Sequence, residues 1–406
     1  MSDFYQNGII TTFHNLHQRS LEDMEAELRE FSKTRPMCLV LPSLFSELEG
    51  EALPHIVKEL SKVDYLAEII IGLDRADKDQ YQKALKFFKP LNQPFKVLWN
   101  DGPRLRAIDE QLKRENLEPM EMGKGRNVWY CLGYALARGK AKAVALHDCD
   151  ILTYDRSLLA RLIYPIANPA FNYAFCKGYY ARAAHGKMHG RVSRLLVTPL
   201  LHALKKTIGY NEYLEYIDSF RYPLAGEFSF QTDVITDLRI PSDWGLEIGV
   251  LSELNRNYAN NRLCQADIAD IYDHKHQILS AEDKEQGLSK MSIDISKALF
   301  RKLATNGVVF SSETFRSIKA TYYRIALDFV ETYYNNANMN GLSLDIHSEE
   351  QAVELFASNI IVAGNRFLDN PMEKPFIPSW SRVISAVPNI LDQLHKAVAD
   401  DMEDFQ

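Results

Sequence analysis

Between Met37 and Leu146, short apolar runs alternate with amphipathic stretches. Met37–Leu41 is closed by Pro42-Ser43 and predicts a buried strand. Ala67–Asp74, Phe95–Trp99 and Ala143–Leu146 repeat the pattern, while Gly50–Val63, Asp79–Phe88 and Gly123–Arg138 read as helices. Strand and helix in that rhythm predict an α/β fold, a parallel sheet with helices on its faces. Ligands in such sheets bind outside the carboxyl ends of the strands. Pro42-Ser43, Asp74, Asp148 and Asp150 all fall there.

Either side of this block the pattern changes. Residues 1–35 predict one or two short helices, with Leu21, Met24, Leu28 and Phe31 at helical spacing. From Phe171 to Asp243 the chain is rich in Gly and aromatics. Tyr173–Tyr180 alternates as an antiparallel strand does, Arg182–Arg191 reads as a flexible basic loop, and Ser193–Lys206 predicts a helix bent at Pro199. Residues 284–406 predict helix throughout, punctuated at Asn335–Leu342. Their stripes, such as Ile293, Leu299 and Leu303, then Tyr322, Tyr323, Ile325 and Phe329, are expected to be core or a subunit interface.

At 406 residues the chain can bury a large core, and 46% hydrophobic with 25% charged residues is ordinary for a globular protein. A net charge of −7 argues against general nucleic-acid binding, so any anion site must come from local clustering. The five cysteines form no C-x-x-C pair and are odd in number, which predicts free thiols in a reducing compartment. The first residues show no basic region followed by an apolar block, and no apolar run approaches the ~18 residues of a membrane span. A cytoplasmic protein away from membranes is the expectation.

Candidate chemistry starts where the fourth strand ends, at His147-Asp148-Cys149-Asp150. Alternation puts Asp148 and Asp150 on one side, about 7 Å apart, with Cys149 pointing away. Neighbouring carboxylates repel, and burying them unpaired is costly. A divalent cation offsets that cost, and the all-oxygen pair suits Mg²⁺ or Mn²⁺ shared with substrate phosphates. No G-x-G-x-x-G follows the first strand and no G-x-x-x-x-G-K-[ST] occurs, against dinucleotide hydride transfer and P-loop chemistry. Gly123-Lys124-Gly125 opens a helix, either as an anion site with Lys124 or as a plain turn. The loop carrying His185, Lys187, His189 and Arg191 into a helix N-terminus suits a small, strongly anionic ligand. Lys177 and Arg182 read as salt-bridge or loop residues.

Several motifs then come together. LPS at Leu41–Ser43, GKG at Gly123–Gly125, HDCD at His147–Asp150, GRVS at Gly190–Ser193, PLAGEF at Pro223–Phe228, WGLEIG at Trp244–Gly249 and DHKH at Asp273–His276 stand in an order that resembles the glucosyl-3-phosphoglycerate synthases. These are retaining glycosyltransferases of the GT-A fold. The resemblance implies a glycosyltransferase domain over 36–283, with a nucleotide-sugar half to about 152 and an acceptor half from 153. An N-terminal helical extension (1–35) and a C-terminal helical region (284–406) flank it. It implies transfer of glucose from UDP-glucose to 3-phosphoglycerate with Mg²⁺ or Mn²⁺, by a homodimer.

By the same resemblance, Ser43 and Asp74 face the uridine and ribose, Lys124 the diphosphate or uracil, and Asp148 the ribose–sugar side. Asp150 and His274 bind the metal, with His276 a rival ligand. Leu224, Ala225 and Gly226 line the donor sugar, and Gly190, Arg191 and Ser193 hold the phosphoglycerate. Glu247 lies beside the reacting centre; Glu247, Asp150 and Lys124 form the implied catalytic set. Other donors (GDP-mannose, ADP-glucose), another small acidic acceptor, or a non-catalytic nucleotide-sugar-binding scaffold remain as alternatives.

Overall fold

The structure, a computed structural model, describes residues 6, 8–119, 122–274, 287–371 and 376–405. Its strands, in chain order, are β1 Thr11–Phe13, β2 Met37–Leu44, β3 Leu66–Asp74, β4 Phe95–Trp99, β5 Ala143–Leu146, β6 Phe175–Tyr180, β7 Ala183–Ala184, β8 Lys187–Met188, β9 Phe228–Gln231, β10 Ile240–Pro241, β11 Leu263–Ala269 and β12 Phe376–Ile377. Eight of them form one sheet in the order β1-β11-β6-β9-β5-β2-β3-β4. Only β9 runs against its neighbours, β5 and β6; the other pairings are parallel. The central strands β2, β3 and β5 are buried almost throughout, which is why they read as unbroken apolar runs.

Four expectations need correction. β2 does not stop at Pro42-Ser43 but runs on to Leu44 along β3. The ladder to β5 ends at Val40, so Pro42 sits where one flank of β2 has no strand neighbour and its missing N–H is tolerated. Residues 1–35 are not all helix: Thr11–Phe13 is the edge strand on β11, followed by the Leu21–Ser32 helix. β6 is antiparallel to β9 but parallel to β11. The helix expected over Ser193–Lys206 opens as a π-helical segment, Val192–Val197, before regular helix from Thr198, so the irregularity precedes Pro199.

Among the described residues the C-terminal region's regular elements are helices and β12, which pairs with β10. Its last two helices pack against the Lys124–Arg138 and Pro103–Arg114 helices, while the Ser312–Met339 and Ile346–Asp369 helices pack against residues 191–208. Trp380 stacks on Trp129 at 4.1 Å between ring centroids, an arrangement worth about 1 kcal/mol beyond burial. Each indole also donates a hydrogen bond, Trp129 to the Pro378 carbonyl and Trp380 to the Trp129 carbonyl. Arg104 pairs with Asp401 and Asp404 of the last helix. Tyr322 is fully buried and donates to the Leu195 carbonyl, and Ile325 is buried beside it in the stripe, whereas Tyr323 is exposed. All five cysteines are buried and free. Among the described residues no helix is long and apolar enough to cross a membrane.

Candidate active site

The strand order reverses at β2, with β3 and β4 on one side and β5 on the other, and this opens a crevice at the carboxyl edge. Ser43 lies buried near the end of β2, and Asp74 closes β3 opposite Leu44. Burial pushes the Asp74 carboxyl up to about 6, against the hydrogen bond it accepts from Asn100 Nδ2 at 2.7 Å. The Asn100 carbonyl accepts in turn from Arg126 at 3.2 Å, and Arg126 is paired with Asp109.

Lys124 is the first residue of the Lys124–Arg138 helix, and one turn on that helix is pressed against β3. A Cβ on Gly72 would lie 1.7 Å from Asn127 Oδ1, so only glycine admits the contact, and Asn127 Nδ2 donates to the Gly72 carbonyl at 2.9 Å. Seated this way, Lys124 Nζ reaches Asp148 Oδ1 at 2.7 Å and Glu247 Oε1 at 3.3 Å. Burial opposes its charge, but the two carboxylates outweigh that and raise the ammonium above its ordinary value. Glu247 lies in the first turn of the Leu246–Asn257 helix, behind a Gly245 N–H held by Asp243. Asp148 also has a backbone wall: a Cβ on Gly226 would stand 2.2 Å from its Oδ2. Leu224 and Ala225 precede that wall, with Ala225 fully buried.

His274 arrives through a short pairing of Ile151 with His274, reinforced by the Leu152 N–H on the Asp273 carbonyl at 2.9 Å. Its Nδ1 lies 3.4 Å from Asp150 Oδ2. Burial works against the Asp150 carboxylate, and His274 more than offsets it, so its pKa falls below the ordinary value. Asp150 Oδ1 is buried without a hydrogen-bond partner among the described residues. An orphaned carboxylate oxygen beside an imidazole fits a hard divalent cation. No group of three or more His, Cys, Asp or Glu side chains that could hold a metal is found among the described residues, so a cation there needs further oxygens from ligand or water. His276 lies outside the described residues.

The basic loop is more built than expected. β7 and β8 pair as a tight hairpin; His185 Nε2 lies 3.3 Å from Asp273, and the Ser343 N–H donates to the Gly186 carbonyl. Gly190, with φ +77°, turns the chain into the π-helical segment. Arg191 meets Glu349 and Ser348 of the Ile346–Asp369 helix. Ser193 Oγ is buried without a partner among the described residues. Asp74, Lys124, Asp148, Asp150, Glu247 and His274 therefore gather around the crevice, while Gly190, Arg191 and Ser193 stand on a separate wall shared with the C-terminal helices.

Two further residues were not placed in the site from sequence. Glu227 is fully buried and accepts from the Tyr180 and Tyr272 hydroxyls, each at 2.7 Å. Burial and the nearby Asp148 raise its pKa. Lys177 is not a loop residue: it lies in β6 and donates to the Ala225 carbonyl at 2.5 Å. Burial lowers its ammonium to about 8. A lysine inside an aromatic strand and a glutamate inside PLAGEF were the available signals.

Comparison with known proteins bears on this arrangement. A glucosyl-3-phosphoglycerate synthase of Persephonella marina is 45% identical over 404 residues, covering 100% of both chains. One from Methanococcoides burtonii is 37% identical with 99% of each chain covered. No protein-family model matches. Among solved structures, the glucosyl-3-phosphoglycerate synthase of Mycobacterium tuberculosis with Mg²⁺ and uridine diphosphate aligns over 75% of this chain and 89% of its own, at TM-score 0.53 and 21% identity. A complex of that enzyme with Mn²⁺, UDP-glucose and phosphoglyceric acid aligns at TM-score 0.53 over 74% of this chain and 89% of its own.

Proposed function

The chain belongs to the glucosyl-3-phosphoglycerate synthase family, and from that premise we propose that it transfers glucose from UDP-glucose to 3-phosphoglycerate with retention at the anomeric carbon, dependent on a divalent cation. One observation carries the reading: Lys124 bridges Asp148 and Glu247 beside an Asp150 oxygen left without a partner.

In this reading Ser43 and Asp74 receive the uridine and ribose, and Leu224–Gly226 lines the glucosyl group beside Asp148. Asp150 and His274 hold Mg²⁺ or Mn²⁺, which when bound supplies charge stabilisation for the departing diphosphate. Lys124 adds a fixed positive charge on the same side. Gly190, Arg191 and Ser193 take the acceptor phosphate. The bond from the anomeric carbon to the diphosphate oxygen breaks as the acceptor hydroxyl bonds to that carbon from the same face. The hydroxyl proton passes to the departing phosphate oxygen, and the nucleoside diphosphate leaves. Glu247 orients hydroxyl groups; its ion pair with Lys124 holds its charge away from nucleophilic attack.

The test is a screen of UDP-glucose, ADP-glucose and GDP-mannose against 3-phosphoglycerate with Mn²⁺. UDP-glucose should give glucosyl-3-phosphoglycerate, and mass spectrometry should find no glycosyl adduct on Glu247. Preferred turnover of another donor would overturn the donor assignment, and binding without turnover or hydrolysis would point to a scaffold.

A further inference from the structure

The acceptor wall contains a carboxylate that a phosphate site has no direct use for. Glu349 sits in the first turn of the Ile346–Asp369 helix, where the helix dipole favours negative charge, and its side chain is 1% exposed. Its Oε1 accepts from Arg191 Nε at 2.6 Å and its Oε2 from Arg194 Nη1 at 2.8 Å. Ser348 Oγ accepts from Arg191 Nη2 at 2.8 Å. The Arg194 guanidinium lies 4.9 Å from the Tyr333 ring centroid and donates from Nε to the His189 carbonyl at 2.7 Å. Two arginines three positions apart would otherwise repel, and Glu349 bridges them while leaving a net positive charge.

The guanidinium fork makes this arrangement specific. Of its five N–H groups, Nε–H and one of those on Nη2 are taken, along one edge of the plane. Among the described residues no partner takes the edge between Nη1 and Nη2, and that edge matches two phosphate oxygens. Arg191 keeps 30% of its side chain exposed, whereas Arg194 keeps 9%. Arg191 is thus the accessible member of the pair, and its unused edge is set by contacts from a helix over 150 residues away in the chain.

We propose that Glu349, assisted by Ser348, is the positioning residue of the acceptor site, turning the free edge of Arg191 toward the phosphate of a small phosphorylated acid. This rests on the acceptor assignment above. It gives the C-terminal helices a part in the reaction beyond filling the core.

The test combines steady-state kinetics at saturating UDP-glucose with calorimetric titration of 3-phosphoglycerate and of inorganic phosphate into the full chain. Glu349→Gln should raise the KM and Kd for 3-phosphoglycerate about twentyfold, and Ser348→Ala about threefold, with kcat and the KM for UDP-glucose unchanged. In an Arg191→Ala background, Glu349→Gln should add nothing, because its effect runs through that arginine. An equal further loss in that background would mark a merely structural role and overturn the inference. So would an unchanged or lowered KM in Glu349→Gln. Should that variant fail to fold, Ser348→Ala with unaltered melting temperature and unaltered KM would overturn it alone. Wild-type binding of 3-phosphoglycerate without turnover would sink the proposed reaction while the titrations still judge Glu349. Failure to bind either probe would sink both.

Discussion

The two walls of the crevice are built differently. On the proposed donor side, Ser43, Asp74 and Asp148 stand at or just past strand ends, and Lys124 opens a helix locked onto β3. Sheet register fixes their backbone, so their positions follow from short stretches of sequence. On the proposed acceptor side, Arg191 stands between a hairpin of two-residue strands and a π-helical segment. Its orientation is set by Ser348 and Glu349, and the hairpin is tied down by Ser343. The backbone of the proposed donor wall is framed by strand ends and a helix start, whereas the proposed acceptor wall depends on contacts from more than 150 residues away in the chain.

Substitutions on the two walls should therefore separate cleanly. The largest effect is expected at Asp150→Ala, which should cut turnover about a thousandfold or more and abolish Mn²⁺-dependent UDP binding, with an unchanged melting temperature. Retained metal-dependent binding would remove this carboxylate from the donor wall. Arg191→Ala should raise the KM for 3-phosphoglycerate about fiftyfold and leave the UDP-glucose Kd alone, as loss of a charged, forked contact predicts. Equal losses for both substrates would erase the division between the walls.

The smallest effect concerns pH. Asp74 ionises near 3.8 in the unfolded chain and near 6 in the fold, so folding takes up a proton between those values. Its contribution to stability is greatest below 3.8 and is lost as pH rises through 6, at a cost of about 3 kcal/mol at neutral pH. In the proposed reading that cost maintains an ionised acceptor for the nucleoside. UDP-glucose affinity, measured by calorimetry, should fall up to about tenfold between pH 7 and pH 5. Asp74→Asn should flatten the profile, and 3-phosphoglycerate binding should lack this component. A pH profile in Asp74→Asn identical to wild type would take the residue out of nucleoside binding.

Much of the donor wall was legible because an apolar run ending in polar residues marks both a buried strand and its carboxyl edge. Asp74, Asp148 and Asp150 were read that way, and the structure puts Asp74 at a strand end and the other two just past one. The misses share a cause. β1 is three residues long and exists because Cys264–Ala266 offers it an edge. Lys177 and Glu227 were passed over because their roles depend on partners, Ala225 and the two tyrosines, that adjacent sequence does not reveal. Glu349 gave no signal at all: a first-turn glutamate on an amphipathic helix is ordinary until two arginines are found against it.

By itself, then, the sequence determined the α/β layering, the carboxyl-edge acids and the order of the site motifs, because hydrophobic period and strand-end chemistry are local properties. Tertiary structure alone decided the path of the N-terminal strand, the salt-bridged state of Lys124 and the grip of the C-terminal helix on Arg191. Those depend on which distant groups meet in a low-dielectric interior, where an unmatched charge is costly and the fold must supply its partner.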